Sequence, residues 1–287
     1  DYYASRGLGD VYKRQDKLRW KHMQLYSIAS GSSGNCIYVG GEEARILIDA
    51  GISMKRIREG LMEENFPIEN LHAIFITHEH TDHICGLGPV LRKYQIPVYA
   101  TKETIEAIWE KGDMKGVSED LFHAVVPEKT VSIEDMEIMP VRISHDAANP
   151  VCYTVQSESK KIGVATDMGC FSNEIVDHLK DCDSLLLEAN HDINLLQVGS
   201  YPYSLKMRIL GEKGHLSNDA SARLIEKVLH PGLQHILLGH LSKENNFPEL
   251  AYQTVSYELE QNPVWKKMDT ELLVADRMAP TKLLTIQ

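Results

Sequence analysis

Short runs of β-branched and aromatic residues alternate with segments of helical periodicity along most of the chain. Such runs, bounded by turn-forming residues, are typical of buried strands, whereas apolar positions spaced three and four apart are typical of helices packed on a sheet. The pattern therefore predicts an α/β fold. The predicted strands are 23–28, 36–39, 44–49, 71–76, 96–100, 130–133, 136–143, 151–156, 161–165, 184–188 and 234–238. The predicted helices are 53–63, 101–111, 172–179, 204–210 and 218–229, the last capped by Ser217 or Asn218, and residues 84–92 are predicted as a turn leading into a helix.

The first two predicted strands are joined by a loop rich in Gly and Ser, residues 30–35. Two strands this close in sequence form a hairpin. Glycines allow a loop to turn its backbone N–H groups toward an anion, but a plain flexible turn explains the same composition. Both interpretations stay open, and within the loop Ser33 and Asn35 are candidates for contacting a substrate.

The stretch after the strand 71–76 concentrates polar chemistry in seven residues, THEHTDH at 77–83. Three imidazoles and a carboxylate this close together need partners for their polar atoms, and metal ions supply them. His78 and His80 point the same way from an extended backbone, and Asp82 and His83 follow on the turn. This arrangement favours two metals over one, against the alternative of a solvated turn rich in histidine.

Other residues of ligand type recur where predicted strands end. Because such strand ends gather at one edge of an α/β sheet, these positions together predict a functional site there. Asp49 can cap or turn the chain, or it can orient the His-rich stretch from behind. The residues are Asp49, His145, Asp167, Glu188 and His240.

Composition narrows the class of protein. The chain has 287 residues, 43% hydrophobic and 25% charged, and a formal charge of −11, which argues against a broadly basic surface for nucleic acid but not against a local basic track. The five cysteines form no C-x-x-C pair, and no apolar run approaches the length of a membrane span. We therefore expect a reduced, cytoplasmic protein without membrane association.

Residues 1–22 differ in composition from the rest of the chain. They hold six Lys or Arg against three Asp and show no clear amphipathic period, and Met23 opens the first predicted strand. We expect a non-native leader at 1–22. No linker or internal repeat divides the remainder, so we expect a single domain over 23–287.

The order Asp49, H-x-H-x-D-H, His145, Asp167, His240 resembles the metallo-β-lactamase fold superfamily over residues 23–260. The resemblance implies a four-layer αβ/βα sandwich with two divalent metals between its sheets. It also implies two ligand sets and one bridging carboxylate. One metal would be bound by His78, His80 and His145, the other by Asp82, His83 and His240, with Asp167 as the bridge.

Two further features refine the resemblance. Asp167 stands where the antibiotic-hydrolysing zinc enzymes of the superfamily place a cysteine, and GHLS at 214–217 resembles a motif of its phosphodiesterase branch. The resemblance implies that His215, with Glu188 as its partner, protonates the leaving group. His191 and Ser217 are additional candidates for contacting the substrate.

The segments SGSSGNC, THEHTDH, LEANHD and GHLSN together resemble the YycJ (WalJ) family. That resemblance implies a 5′-to-3′ DNA exonuclease, with single- or double-stranded substrate left open. For metal-assisted hydrolysis of a phosphodiester, we expect Asp82 to orient or deprotonate the attacking water. Nitrogen and carboxylate ligands without thiolate suit Zn²⁺, Mn²⁺ or Fe²⁺. The alternatives are a small-molecule hydrolase of the same fold, namely a cyclic phosphodiesterase or a glyoxalase II or lactonase type, and a non-catalytic regulatory protein.

Overall fold

The computed structural model describes residues 22–111 and 113–287, so the expected leader lies outside the described residues except for His22. The strands are β1 (Met23–Ala29), β2 (Cys36–Gly40), β3 (Arg45–Ile48), β4 (Ala73–Phe75), β5 (Val98–Thr101), β6 (Phe122–Val125), β7 (Val131–Ile133), β8 (Met136–Arg142), β9 (Val151–Ser157), β10 (Lys160–Ala165), β11 (Ser184–Glu188), β12 (His235–Gly239), β13 (Glu271–Val274) and β14 (Leu284–Ile286). The helices are α1 (Met54–Glu63), α2 (Thr81–Ile84), α3 (Leu87–Tyr94), α4 (Lys102–Lys111), α5 (Asn173–Leu179), α6 (Ile193–Val198), α7 (Tyr203–Leu210), α8 (Asn218–Val228) and α9 (Pro248–Leu259). Short 3₁₀ helices lie at Ile68–Asn70, Glu119–Leu121 and Trp265–Lys267.

The strands form two seven-stranded mixed sheets. The first has the order β14-β1-β2-β3-β4-β5-β6 and the second the order β13-β12-β11-β10-β9-β8-β7. Strands β3 to β6 run parallel in the first sheet and β10 to β13 in the second, whereas the other neighbours are antiparallel. The predicted hairpin of β1 and β2 is confirmed, and β9 and β10 pair antiparallel as well.

Alternating side chains of each strand divide the interior into three apolar clusters. Leu25 of β1 points between the sheets, where it shares one cluster with Leu186 of β11. Tyr26 points to the opposite face, with helices α1, α3 and α4, and Leu187 points to the cluster with α5, α8 and α9. Because successive residues of a strand face opposite sides, both sheets are covered on both faces. The predicted αβ/βα sandwich is confirmed.

Serine side chains begin three of the predicted helices. Ser53, Ser172 and Ser217 accept hydrogen bonds from backbone N–H groups in the first turns of α1, α5 and α8. Such caps satisfy donors that have no partner within the helix. Of the two predicted caps for α8, Ser217 is the one used, and Asn218 is the first helical residue.

Several elements are not predicted by the pattern. The segment 84–92, predicted as a turn leading into a helix, contains the end of α2, a short connection and then α3. The pattern misses the elements β6, α6, α9, β13 and β14. The last two strands complete the sheets, since β14 pairs with β1 and β13 with β12. None of the helices in the described ranges has the length and apolar content needed to span a bilayer.

Candidate metal centre and acid–base pair

The polar residues predicted at strand ends meet along one edge of the sandwich. In the first sheet, Asp49 follows β3 and the His-rich stretch 77–83 follows β4. In the second sheet, the site residues also lie at the C-terminal ends of strands. There His145 follows β8, Asp167 follows β10, Glu188 ends β11 and His240 follows β12. Both sheets therefore contribute side chains to one site.

Three of these residues have left-handed backbone conformations. The φ angles are 64° at Asp49, 61° at Asp167 and 54° at His240. This region costs a residue with a Cβ about 1–2 kcal/mol, and strained backbone of this kind clusters at functional sites. The local chain also needs a close approach, because a Cβ at Gly51 would lie 1.6 Å from the carbonyl oxygen of Asp82.

Three imidazole nitrogens converge at one end of the site. His80 Nδ1 lies 3.0 Å from His78 Nε2 and 3.2 Å from His145 Nε2. His145 Nδ1 lies 3.1 Å from the carbonyl oxygen of Gly214, to which it donates, so Nε2 carries the lone pair that faces the other two rings. Imidazole nitrogens that converge in this way can share a divalent cation as its ligands.

Asp82, His83 and His240 form a second group. Asp82 Oδ2 lies 3.6 Å from His83 Nε2 and 3.9 Å from His240 Nε2. Asp167 lies between this group and the three imidazoles: its Oδ2 is 3.2 Å from His83 Nε2 and its Oδ1 is 3.8 Å from His145 Nε2. One carboxylate thus reaches both groups.

Buried polar atoms in this region lack hydrogen bonds. Asp167 Oδ2 is 3.1 Å from His240 Nδ1, yet neither atom makes a hydrogen bond of acceptable geometry, and both are buried. Leaving such groups unsatisfied costs about 1–3 kcal/mol each. A cation held by both atoms removes that cost, so the donor set fits a bound metal.

Electrostatics divides the histidines into two kinds. Burial lowers the pKa of His78 and of His145, which keeps both imidazoles neutral, as ligands must be. Burial also opposes charge at His83, but the nearby carboxylates of Asp49 and Asp167 outweigh it and raise its pKa well above the ordinary value. The carboxylates therefore favour positive charge here, which a metal supplies when it displaces the proton.

Asp49 holds the ring of His83 through Nδ1, the nitrogen on the side away from Asp167. Its Nδ1 lies 2.7 Å from Asp49 Oδ2, and Asp49 also accepts hydrogen bonds from the backbone N–H and hydroxyl of Thr77. With its Nδ1–H donated to Asp49, the ring turns Nε2 toward Asp167. Outer carboxylates in such contacts fix the tautomer of a ligating imidazole, and this is the role we predict for Asp49.

His215 and Glu188 form a hydrogen-bonded pair beside the metal groups. His215 Nδ1 lies 2.7 Å from Glu188 Oε1, while Glu188 Oε2 accepts from the backbone N–H groups of Met168 and Leu216. Burial opposes the charge of His215, but Glu188 outweighs it and raises the pKa of His215 to about 9. The imidazole is therefore protonated at neutral pH, and 22% of its side chain stays exposed.

The candidates for substrate contact lie in different settings. Ser33 is exposed, and its neighbour Ser32 lines the cavity over the metal groups. Asn35 is buried, and its amide bonds Gly31 and lies 3.1 Å from His83 Nε2. Ser217 is the helix cap described above. His191 is buried with neither ring nitrogen hydrogen-bonded, and burial lowers its pKa to about 4.

The sequence offers Lys206-x-Arg208 as one of two modest basic groupings, a pattern more typical of a solvated surface than of a ligand contact, yet Arg208 lies at the cavity. Arg208 of α7 lines the cavity of about 340 Å³ above the metal groups, and its Nε donates to Asp146. The local pattern gives no sign of this, because α7 and the loop after β8 are far apart in sequence. Lys206, its neighbour in the same helix, instead donates to the carbonyl oxygens of Gln197 and Gly199.

The family described as Beta-lactamase superfamily domain matches residues 44–240. Exodeoxyribonuclease YycJ of Bacillus anthracis is 36% identical over 256 residues, which are 89% of this chain and 96% of that protein. Exodeoxyribonuclease WalJ of Streptococcus pneumoniae is 41% identical over 237 residues, or 82% of this chain and 88% of its own. The chain belongs to the β-lactamase superfamily, in the family of YycJ and WalJ.

Solved structures agree on the fold of this β-lactamase superfamily member. The metallo-β-lactamase fold protein YhfI from Bacillus subtilis superimposes with a TM-score of 0.67, covering 92% of this chain and 99% of that one. Its sequence identity of 16% supports the fold alone. The resemblance drawn from the motifs is confirmed, and the superfamily together with the clustered His and Asp donors indicates binding of divalent metal.

Proposed function

We propose that the protein is a two-metal phosphodiesterase that removes nucleotides from DNA. The observation that carries the proposal is the pair of His215 and Glu188, placed beside two groups of metal donors with Asp167 between them. A protonated imidazole next to the metals serves a reaction whose leaving group needs a proton, as the alkoxide of a phosphodiester does. The names of YycJ and WalJ as exodeoxyribonucleases support DNA as the substrate.

The metal ligands in this proposal are the residues that the two groups contain. When bound, two divalent cations neutralise phosphoryl oxygens and supply hydroxide at neutral pH. Zn²⁺, Mn²⁺ and Fe²⁺ all accept this mixture of imidazole and carboxylate. His78, His80 and His145 would hold one cation and Asp82, His83 and His240 the other. Asp167, which lies near both groups, would be their shared ligand.

Asp82 and His215 handle the protons. The Asp82 side chain is 25% exposed, whereas its ligand partners His83 and His240 are buried, so it can meet water from the cavity and accept a proton from it. His215 bonds Glu188 through Nδ1, which leaves Nε2 to donate a proton to the leaving oxygen. Glu188 keeps the donor charged before the reaction and orients its ring.

The access to this site suits a phosphate despite the acidic chain. The formal charge of −11 is spread over the whole protein, whereas Arg208 stands at the cavity that the metal groups line. A guanidinium offers several N–H donors, and that of Arg208 bonds Asp146 through Nε, so its other N–H groups can reach a phosphate. We therefore propose that Arg208 contacts the phosphate next to the reacting one.

We also propose that the protein digests DNA in the 5′-to-3′ direction.

The experiment compares end-labelled DNA with bis(p-nitrophenyl) phosphate, using Mn²⁺- or Zn²⁺-loaded protein. We expect stepwise shortening from the 5′ end, abolished in Asp167→Ala. His215→Ala should lower DNA hydrolysis by about 10²–10⁴-fold and the nitrophenyl ester far less, because nitrophenolate leaves without a proton. Hydrolysis of the small ester with intact DNA would instead favour a small-molecule phosphodiesterase, and an active Asp167→Ala would refute the proposed centre.

A further inference from the structure

A second cavity opens beside the metal cavity and no step of the proposed reaction uses it. It has a volume of about 170 Å³. Both cavities are lined by His145, Arg208 and His215, so they adjoin at the proposed proton donor. Whatever occupies the smaller cavity therefore lies next to the leaving group of the proposed reaction.

One wall of this cavity is apolar, whereas the other lining side chains are polar or charged. Tyr201 lines it just before α7 begins, and Leu205 and Ile209 line it from the inward face of that helix. Tyr201 and Leu205 are half-buried and Ile209 is buried. The same helix carries Tyr203 on its outer side, where 77% of that side chain is exposed. An aromatic ring and two aliphatic side chains offer a flat, weakly polar solute a surface to stack and pack against.

The helix that forms the wall is fixed relative to the catalytic pair. The backbone N–H of His215 donates to the carbonyl oxygen of Ile209 at 3.0 Å. Lys206 ties α7 to the end of α6 through the carbonyl oxygens of Gln197 and Gly199, at 2.8 and 2.7 Å. The wall and the proton donor are thus parts of one hydrogen-bonded unit, which suits a pocket that positions substrate.

We propose that this cavity binds the nucleobase of the nucleotide whose oxygen leaves. The inference rests on the proposed function. Its volume is below the ~300–1,000 Å³ of pockets for drug-sized ligands, so it suits one ring system and not a whole nucleotide. A base held against Tyr201 places its sugar near His215, and the adjoining phosphate passes Arg208 at the boundary of the two cavities.

The test uses two Mn²⁺-loaded reactions that differ in one base. Short DNA strands carry either a normal nucleotide or an abasic spacer at the position whose oxygen leaves, and kcat/KM is measured for each. Stacking on an aromatic side chain predicts a preference of about tenfold or more for the strand with the base. Tyr201→Ala should reduce that preference to near unity, and the matched control Tyr203→Ala, a few residues away on the outer side, should keep it.

A filling variant gives independent evidence. Leu205→Trp should occupy the cavity and remove the same preference, and thermal melting checks that each variant is folded. Wild-type protein that digests DNA with equal kcat/KM for both strands would overturn the base pocket alone. An equal loss of preference in Tyr203→Ala would also overturn it. Wild-type protein that digests neither strand would overturn the proposed function and the pocket with it.

Discussion

Replacement of Asp49 by Asn changes one atom behind the proposed metal centre. Asn tolerates the left-handed backbone of this position, where φ is 64°, and its remaining oxygen can still accept the backbone N–H of Thr77. The new amide group, however, faces Nδ1 of His83, which lies 2.7 Å from the lost oxygen. Two donors then meet, and His83 relieves the conflict by moving its proton to Nε2. That nitrogen faces Asp167 and is the one needed for a metal.

The expected magnitude follows from that change of tautomer. Loss of an outer hydrogen-bond partner of a ligating imidazole lowers metal affinity or activity by about 10–100-fold, and each tenfold step is about 1.4 kcal/mol. The loss of metal affinity should be larger than a general loss of stability would cause. His83 is buried, so water cannot replace Asp49 as its hydrogen-bond partner. We therefore expect metal affinity in Asp49→Asn to fall by at least tenfold while the protein stays folded.

The assay is competition for Zn²⁺ and Mn²⁺ with a fluorescent chelator, alongside thermal melting of the metal-free protein. Asp135→Asn is the matched control, because that carboxylate accepts the backbone N–H groups of Glu42, Glu43 and Ala44 and lies away from the metal groups. It should lose stability but keep its metal affinity. Metal affinity within twofold of wild type in Asp49→Asn would refute the role assigned to Asp49 and to the tautomer of His83.

Three other predictions concern the acid, the turn and the last strand. Glu188 outweighs burial and raises the pKa of His215 to about 9, so activity should fall as pH rises through about 9. In Glu188→Gln the fall should begin at lower pH. An unchanged pH profile would contradict the role of His215 as the proton donor. Gly51→Ala should displace the turn at Asp82, since the new Cβ would lie 1.6 Å from its carbonyl oxygen, and wild-type metal affinity would show the turn to be dispensable. Leu284→Ala should cost about 2–5 kcal/mol by calorimetry, because Leu284 is 2% exposed, and a melting temperature shifted by less than 1 °C would exclude β14 from the cooperative unit.

Most of the site was predictable because its residues follow strands with strong local patterns. The runs before Asp49, Asp167 and His240 are β-branched or Leu-rich and short, so strand and strand end were both evident. The parallel order of the strands then gathers those ends at one edge. The resemblance to the phosphodiesterase branch of the superfamily implied the pairing of Glu188 with His215, which no periodicity indicates, and the two side chains lie 2.7 Å apart.

What the sequence did not predict depends on distant contacts. Strand β14 has three residues and gains its place by pairing with β1, more than 250 positions earlier, so no local pattern marks it. Asn35 belongs to a Gly/Ser loop, and its contact with His83 Nε2 depends on a turn almost fifty positions later in the chain. Arg208 becomes part of the cavity wall through the packing of α7, which brings it to Asp146.

The central claim is that two metals, held by two donor groups that share Asp167, perform phosphodiester hydrolysis. The most direct measurement titrates metal-free protein with Mn²⁺, at protein concentrations above the dissociation constants, while release of nucleotide from end-labelled DNA is followed. The account predicts that activity rises until two equivalents are bound and then stays constant, with Asp167→Ala inactive throughout. Full activity at one equivalent, or without metal, would contradict it.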